Sequence, residues 1–165
     1  MQSRDTLRVC LVALEEKRER RFTPMTATRM DADGRLKEEG LTRQVIAAFF
    51  YAYNRLGFGF LEAVYRRALA HVLRKTGLTV ECEKVLDVWF EGVKVGHYRV
   101  DSVVENKIIV EIKAVERLTA TDRKQLLNYL RASNIEIGLL LNFGPNAQFE
   151  RLVYSNSNKP MLAAE

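Results

Sequence analysis

Two carboxylates and an ammonium, Asp101, Glu111 and Lys113, lie close together in the stretch Tyr98–Ala114, YRVDSVVENKIIVEIKA. A β-branched run, a polar tip at Glu105-Asn106-Lys107 and a second, more apolar run predict a β-hairpin. Strand alternation puts Ile108, Val110, Ile112 and Ala114 on one face, and Ile109, Glu111 and Lys113 on the other. A three-residue tip sets Asp101 opposite Glu111, Arg99 opposite Lys113 and Val103 opposite Ile109. A two-residue turn would shift the register and part the acids. Facing like charges destabilise a sheet, and two carboxylates about 4 Å apart repel by roughly 4 kcal/mol at an effective dielectric near 20. One reading neutralises them on a solvated face through the diagonal pairs Arg99–Glu111 and Asp101–Lys113. The other has them bind a cation: hard oxygens on adjacent strands suit Mg²⁺, and an ammonium two residues on suits a phosphate or a metal-held water.

The elements that must position these groups can be read from periodicity. Leu41, Val45, Ala48, Phe49, Ala52 and Leu56 recur at three and four residues, which predicts a helix ending at Gly57. A tight Gly57-Phe58-Gly59 connection leads to a second helix over about 60–75, stopped by Gly77. Strands follow over about 79–91, 93–104 and 107–114, the first two joined at Glu91-Gly92. A helix over about 120–132 has Thr119 as N-cap with Asp122 three residues on, in the manner of a capping box. Ile135–Asn142 and Phe149–Tyr154 complete the strands. The order α-α-β-β-β-α-β-β predicts an α/β domain with a mixed sheet: an antiparallel meander, then a helical crossover returning a strand parallel to the third.

Composition narrows the class. The chain has 165 residues, enough for one domain with one substantial core. A net charge of +5 is compatible with a polyanionic partner without requiring one. Cys10 and Cys82 have neither zinc-ligand spacing nor a disulfide pattern, which suits a reducing compartment. No apolar run is long enough to span a bilayer, and Val9–Leu14, broken by Glu15-Glu16, does not read as a signal peptide. The expectation is a cytoplasmic protein that does not engage a membrane. Residues 1–38, with the charged run EEKRERR, read as a poorly ordered N-terminal extension, 39–155 as the folded domain and 156–165 as a C-terminal tail. His71 and His97 are isolated, and no GK[ST] phosphate loop, GxSxG elbow or CxxC is present. Trp89, Phe90 and Tyr98 read as core or sheet-surface aromatics.

Asp101, nine intervening residues and Glu111-Ile112-Lys113 together resemble the D…ExK core of the PD-(D/E)XK nuclease superfamily. Gly59-Phe-Leu-Glu62-Ala-Val-Tyr65 resembles the signature of one branch, the GxxExxY protein family, and Gln125-Leu-Leu-Asn-Tyr129 resembles the QxxxY element of the exonuclease-like branches. The motifs stand in the same order over about residues 40–154. Val100 occupies the position of the superfamily's proline, and Tyr53 and Phe58 stand where the branch tends to have histidine and proline. The resemblance implies a restriction-endonuclease-like core, a mixed central sheet flanked by helices. It also implies a nuclease dependent on Mg²⁺, with Mn²⁺ as a substitute. Asp101, Glu111, the Ile112 carbonyl and Glu62 would hold the metal. Lys113 and Gln125 would join the catalytic acids, and Tyr129, Gly59 and Tyr65 would lie against substrate. On residue type alone Glu62 complements a helix dipole, Gln125 is a surface glutamine and Tyr65 packs. The implied partner is nucleic acid, DNA in preference to RNA, with a homodimer or a protein partner for targeting. The alternative is an inactive nuclease fold that binds nucleic acid or protein.

Overall fold

Burial of one apolar stripe shapes each helix in the computed structural model, which describes residues 37–159. Helix α1 (Glu39–Leu56) buries Val45, Ala48, Phe49 and Ala52 and ends at Gly57, whose N–H donates to the Tyr53 carbonyl at 2.8 Å. Helix α2 (Glu62–Lys75) buries Tyr65, Leu69, Ala70, Val72 and Leu73. Five strands follow: β1 (Val80–Phe90), β2 (Val93–Val104), β3 (Ile108–Lys113), β4 (Ile137–Asn142) and β5 (Gln148–Val153). They form one sheet in the order β1-β2-β3-β4-β5. Only β3 and β4 run parallel, joined through helix α3 (Ala120–Arg131). The expected element order and mixed sheet are both present. So is the capping box: Asp122 N–H donates to Thr119 Oγ1 and Thr119 N–H to Asp122 Oδ2, an arrangement worth about 1 kcal/mol.

The strong alternation in β3 divides the core into two layers. Ile108, Val110 and Ile112 pack with α1, α2, Leu139 and Leu141. Ile109 faces the other way, with Leu126 and Leu130 of α3 and Leu140. Each such aliphatic side chain contributes about 1.5–3 kcal/mol by leaving water. Gly138 lets α3 approach closely, because a Cβ there would stand 2.8 Å from Leu126 Cδ1.

Two details differ from the sequence reading. Strand β4 begins at Ile137 rather than Ile135, and β5 is displaced by one residue. Residues 156–159, assigned to the tail, are docked: Lys159 is buried and donates from Nζ to the Ser133 and Ile135 carbonyls, 2.7 and 2.8 Å away. Of the two positions open to Trp89 and Phe90, core or sheet surface, they take the second, exposed near the end of the β1–β2 hairpin. The expected extension up to residue 36 and the tail from residue 160 lie outside the described residues. No helix among the described residues is long and apolar enough to cross a membrane.

Candidate active site

The β2–β3 turn sets the register of the acids. Glu105 and Asn106 adopt φ of 51° and 52°, and Lys107 N–H donates to the Val104 carbonyl at 2.9 Å. The ladder pairs Val104 with Ile108, Val103 with Ile109 and Ser102 with Val110, as a three-residue tip predicts. It then stops. Val103 and Val100, of opposite parity, both pack in the α3-side layer, so the alternation of β2 slips across Asp101. Glu111, Ile112 and Lys113 continue in register with Leu140, Leu141 and Asn142 of β4, leaving their β2 side open.

This fork gathers the charged groups. Asp101 Oδ2 accepts the Ile112 N–H at 2.9 Å, replacing the missing strand bond. In a strand the N–H and C=O of one residue point to the same neighbour, so the Ile112 carbonyl also faces the Asp101 side. Asp101 Oδ1 accepts from Arg66 of α2 at 3.0 Å. Glu111 is buried; its Oε1 accepts from Lys113 Nζ at 3.1 Å, while its Oε2 has no hydrogen-bond partner. Lys113 Nζ also donates to Gln125 Oε1 at 2.9 Å, and Gln125 Nε2 donates to the Tyr129 hydroxyl. The neutralising diagonal pairs of the surface reading do not form: Arg99 pairs with Glu83, Asp101 with Arg66 and Lys113 with Glu111.

Electrostatics follow from this burial. Loss of solvent, then the Asp101 charge and more weakly that of Glu62, push the Glu111 carboxyl up to about 7 against the opposing pull of Lys113. Burial works to lower the Lys113 pKa, but the Glu111 carboxylate with its hydrogen bond, Glu62 and Asp122 outweigh it and lift the ammonium above the usual lysine value. Lys113 is therefore a fixed cation at neutral pH. Tyr129 is raised by burial and stays a neutral phenol.

The expected residues divide into three groups. Asp101, Glu111, Ile112, Lys113, Gln125 and Tyr129 converge on the fork; Gln125 is a linker between the ammonium and Tyr129 rather than a surface glutamine. Glu62 is exposed at the first position of α2, where it complements the helix dipole and adds negative potential to Glu111 and Lys113. Among the described residues no three His, Cys, Asp or Glu side chains are grouped to hold a metal ion. Tyr65 is a correction: it is fully buried rather than set against substrate. Its ring stacks on Phe143, and its hydroxyl donates to the Gly57 carbonyl and accepts from Phe60 N–H, each at 3.0 Å. Gly59 has φ 112° and open space around the Cβ position, so backbone conformation rather than close approach calls for glycine there. Tyr53, at the expected histidine position, donates to the Gly144 and Pro145 carbonyls.

The sequence reading missed two residues. Arg66 lies one turn beyond Glu62, a spacing that puts both on one helix face. Asn142, fully buried, ends the apolar run of β4 and binds Val115 twice, accepting its N–H at 3.0 Å and donating to its carbonyl at 2.8 Å. That clamp fixes the chain two residues beyond Lys113.

The residues at the fork fit a divalent cation. The buried, unpartnered Glu111 Oε2, the Asp101 carboxylate and the Ile112 carbonyl are hard oxygens on one side of β3. A cation there would also relieve the repulsion that raises Glu111.

Residues 39–152 match a model of the PD-(D/E)XK nuclease superfamily. Among solved structures, the crystal structure of SSO0001 aligns at 18% identity with a TM-score of 0.44, over 90% of this chain and 76% of that one. That likeness is too loose to bear on the fold. No curated protein matches the chain.

Proposed function

The chain belongs to the PD-(D/E)XK nuclease superfamily, and from that premise we propose that it is a metal-dependent nuclease of the GxxExxY branch, hydrolysing phosphodiester bonds in nucleic acid, DNA in preference to RNA. One observation carries the proposal: Lys113 is held between Glu111 Oε1 and Gln125 Oε1 while Glu111 Oε2 is buried without a partner beside Asp101. Asp101, Glu111 and the Ile112 carbonyl would hold Mg²⁺, with Glu62 adding charge from α2. When bound, the ion supplies Lewis-acid polarisation of the phosphate and activation of water. Lys113 orients or helps to deprotonate the attacking water and stabilises charge developing on the phosphate oxygens. Gln125 aims the ammonium and is itself aimed by Tyr129. Free Cys82 suits the reducing cytoplasm as the place of action.

Arg66 favours a second reading. Its ion pair with Asp101 supplies a counter-charge without any metal, as a nuclease fold kept only for binding would. One experiment separates the two. Purified chain is incubated with labelled single- and double-stranded DNA and RNA, in Mg²⁺, Mn²⁺ or EDTA, beside a Lys113→Ala protein whose fold is checked by circular dichroism. A nuclease cuts only with metal, and the substitution slows it by about 100-fold or more. Binding without cleavage on every substrate would establish the binding module instead.

A further inference from the structure

The connection between α1 and α2 holds three large apolar side chains in water: Phe58 is 62% exposed, Phe60 48% and Leu61 79%. Their exposure is not slack in the chain. Gly57 and Gly59 bend the backbone through φ of 71° and 112°. The buried Tyr65 hydroxyl ties the Gly57 carbonyl to the Phe60 N–H, and the Phe60 ring meets the Tyr65 ring edge-on at 6.1 Å. Phe60 is thus the root of the loop, while Phe58 and Leu61 form its free tip.

Position and charge say what meets the tip. Leu61 directly precedes Glu62 at the start of α2, and Arg66, one turn further along the same helix, donates to Asp101 Oδ1 at 3.0 Å, which sets this end of α2 beside the fork. A polymer with a phosphate at Lys113 therefore passes the tip. Arg55 before the loop and Arg67 after it are exposed and form no ion pair with a described residue, which favours a polyanion. The apolar part of such a polymer is the face of its bases. A rigid apolar protrusion beside a phosphate site can slip between bases and unstack them, and aromatic side chains bind unpaired bases through their π faces without regard to sequence.

The geometry points to Phe58 and Leu61 as a wedge that packs against the bases flanking the scissile phosphate, selecting single-stranded or frayed nucleic acid over intact duplex. This rests on the nuclease reading for the substrate polymer and goes beyond it in naming the strand state and the residues that sense it.

The test measures binding by the full chain in EDTA, where no turnover intervenes. Fluorescence anisotropy gives affinities for a single-stranded oligonucleotide and for a blunt duplex, and 2-aminopurine in the single strand reports stacking. The wild type should prefer the single strand and change the 2-aminopurine signal. Phe58→Ala with Leu61→Ala should weaken single-strand binding by about tenfold, leave duplex binding unchanged and abolish the signal change; Phe58→Trp should retain both. Thermal unfolding of the double variant checks that the fold is intact. Equal affinity for single strand and duplex, an unaffected double variant, or no binding of either oligonucleotide would overturn the wedge. So would selective loss of binding to anionic phospholipid vesicles with nucleic-acid binding intact. Cleavage in Mg²⁺ is read in parallel. If the double variant cuts single strands as fast as wild type, the wedge falls and the nuclease stands; if strand-selective binding depends on the tip but nothing is cut, the wedge stands and hydrolysis falls.

Discussion

Glu111 carries a conflict that a purely structural residue would not keep. It is buried, faces another acid and leaves one oxygen unpartnered. Its carboxyl is raised from 4.5 to about 7. A group whose pKa rises on folding favours the folded chain while protonated. Stability is therefore greatest below the unfolded value, falls as pH climbs from about 4.5 to about 7, and is flat above. The loss across that window is about 3 kcal/mol. Glu111→Gln removes the ionisation but weakens the bond to Lys113, so the variant should be about 2 kcal/mol more stable than wild type at pH 8 and similar at pH 4.5. Urea unfolding at both pH values in EDTA measures this; an equal effect at both would mean that Glu111 ionises normally. The same protein should have lost cleavage, a trade of stability for function. The conflict was legible only in part: a three-residue tip set Asp101 opposite Glu111, whereas the ladder ends at Ser102–Val110 and Asp101 accepts the Ile112 N–H instead. Arg66 was not legible, because its partner lies 35 residues away on another element.

At the scale of elements, local signals read true wherever a few neighbouring residues settle the outcome. Gly57 ends α1, the Thr119–Asp122 box starts α3, and the Glu105–Lys107 tip sets the register. The fork was beyond such signals. Where β2 leaves β3 depends on how the long hairpin twists against α2 and α3, which no window of sequence contains. The link between α2 and its leading loop is similarly tertiary, and it rests on one hydroxyl. Tyr65→Phe keeps the stack on Phe143 but strands the Gly57 carbonyl and the Phe60 N–H. The expected destabilisation is about 1–3 kcal/mol, read as a lower urea midpoint with an unchanged slope. Cleavage should suffer more than global stability explains, because the freed loop no longer presents Glu62 and the apolar tip in one geometry. Activity that follows stability alone would deny the loop any part in catalysis.

Over the whole molecule, the five-stranded sheet is strongest where β3 and β4 lie side by side, covered on both faces, and the site sits at the edge of that region. Its outer part is different in kind. Beyond Ser102, β2 has no partner but β1, so the far end of the hairpin is a two-stranded ribbon. Val85, Trp89, Phe90, Val93 and Val95 are exposed on it. For Trp89 and Phe90 the sequence left core and sheet surface open, because burial is decided by what packs above a strand rather than by the strand itself. Two-stranded ribbons are marginal in water, so the far ends of β1 and β2 should be the least stable part of the described sheet. Hydrogen exchange of the full chain should find amides of Val88–Val95 exchanging orders of magnitude faster than those of Ile109–Ile112 and Leu139–Leu141, which open only with global unfolding. Replacing residues 89–95 with Asn-Gly, which keeps Val88 opposite Gly96, should then leave the unfolding temperature nearly unchanged. If the ribbon is instead protected to the level of the core and loses that protection on dilution, a second copy of the chain covers it in solution, and the protein acts as a dimer with its arms joined.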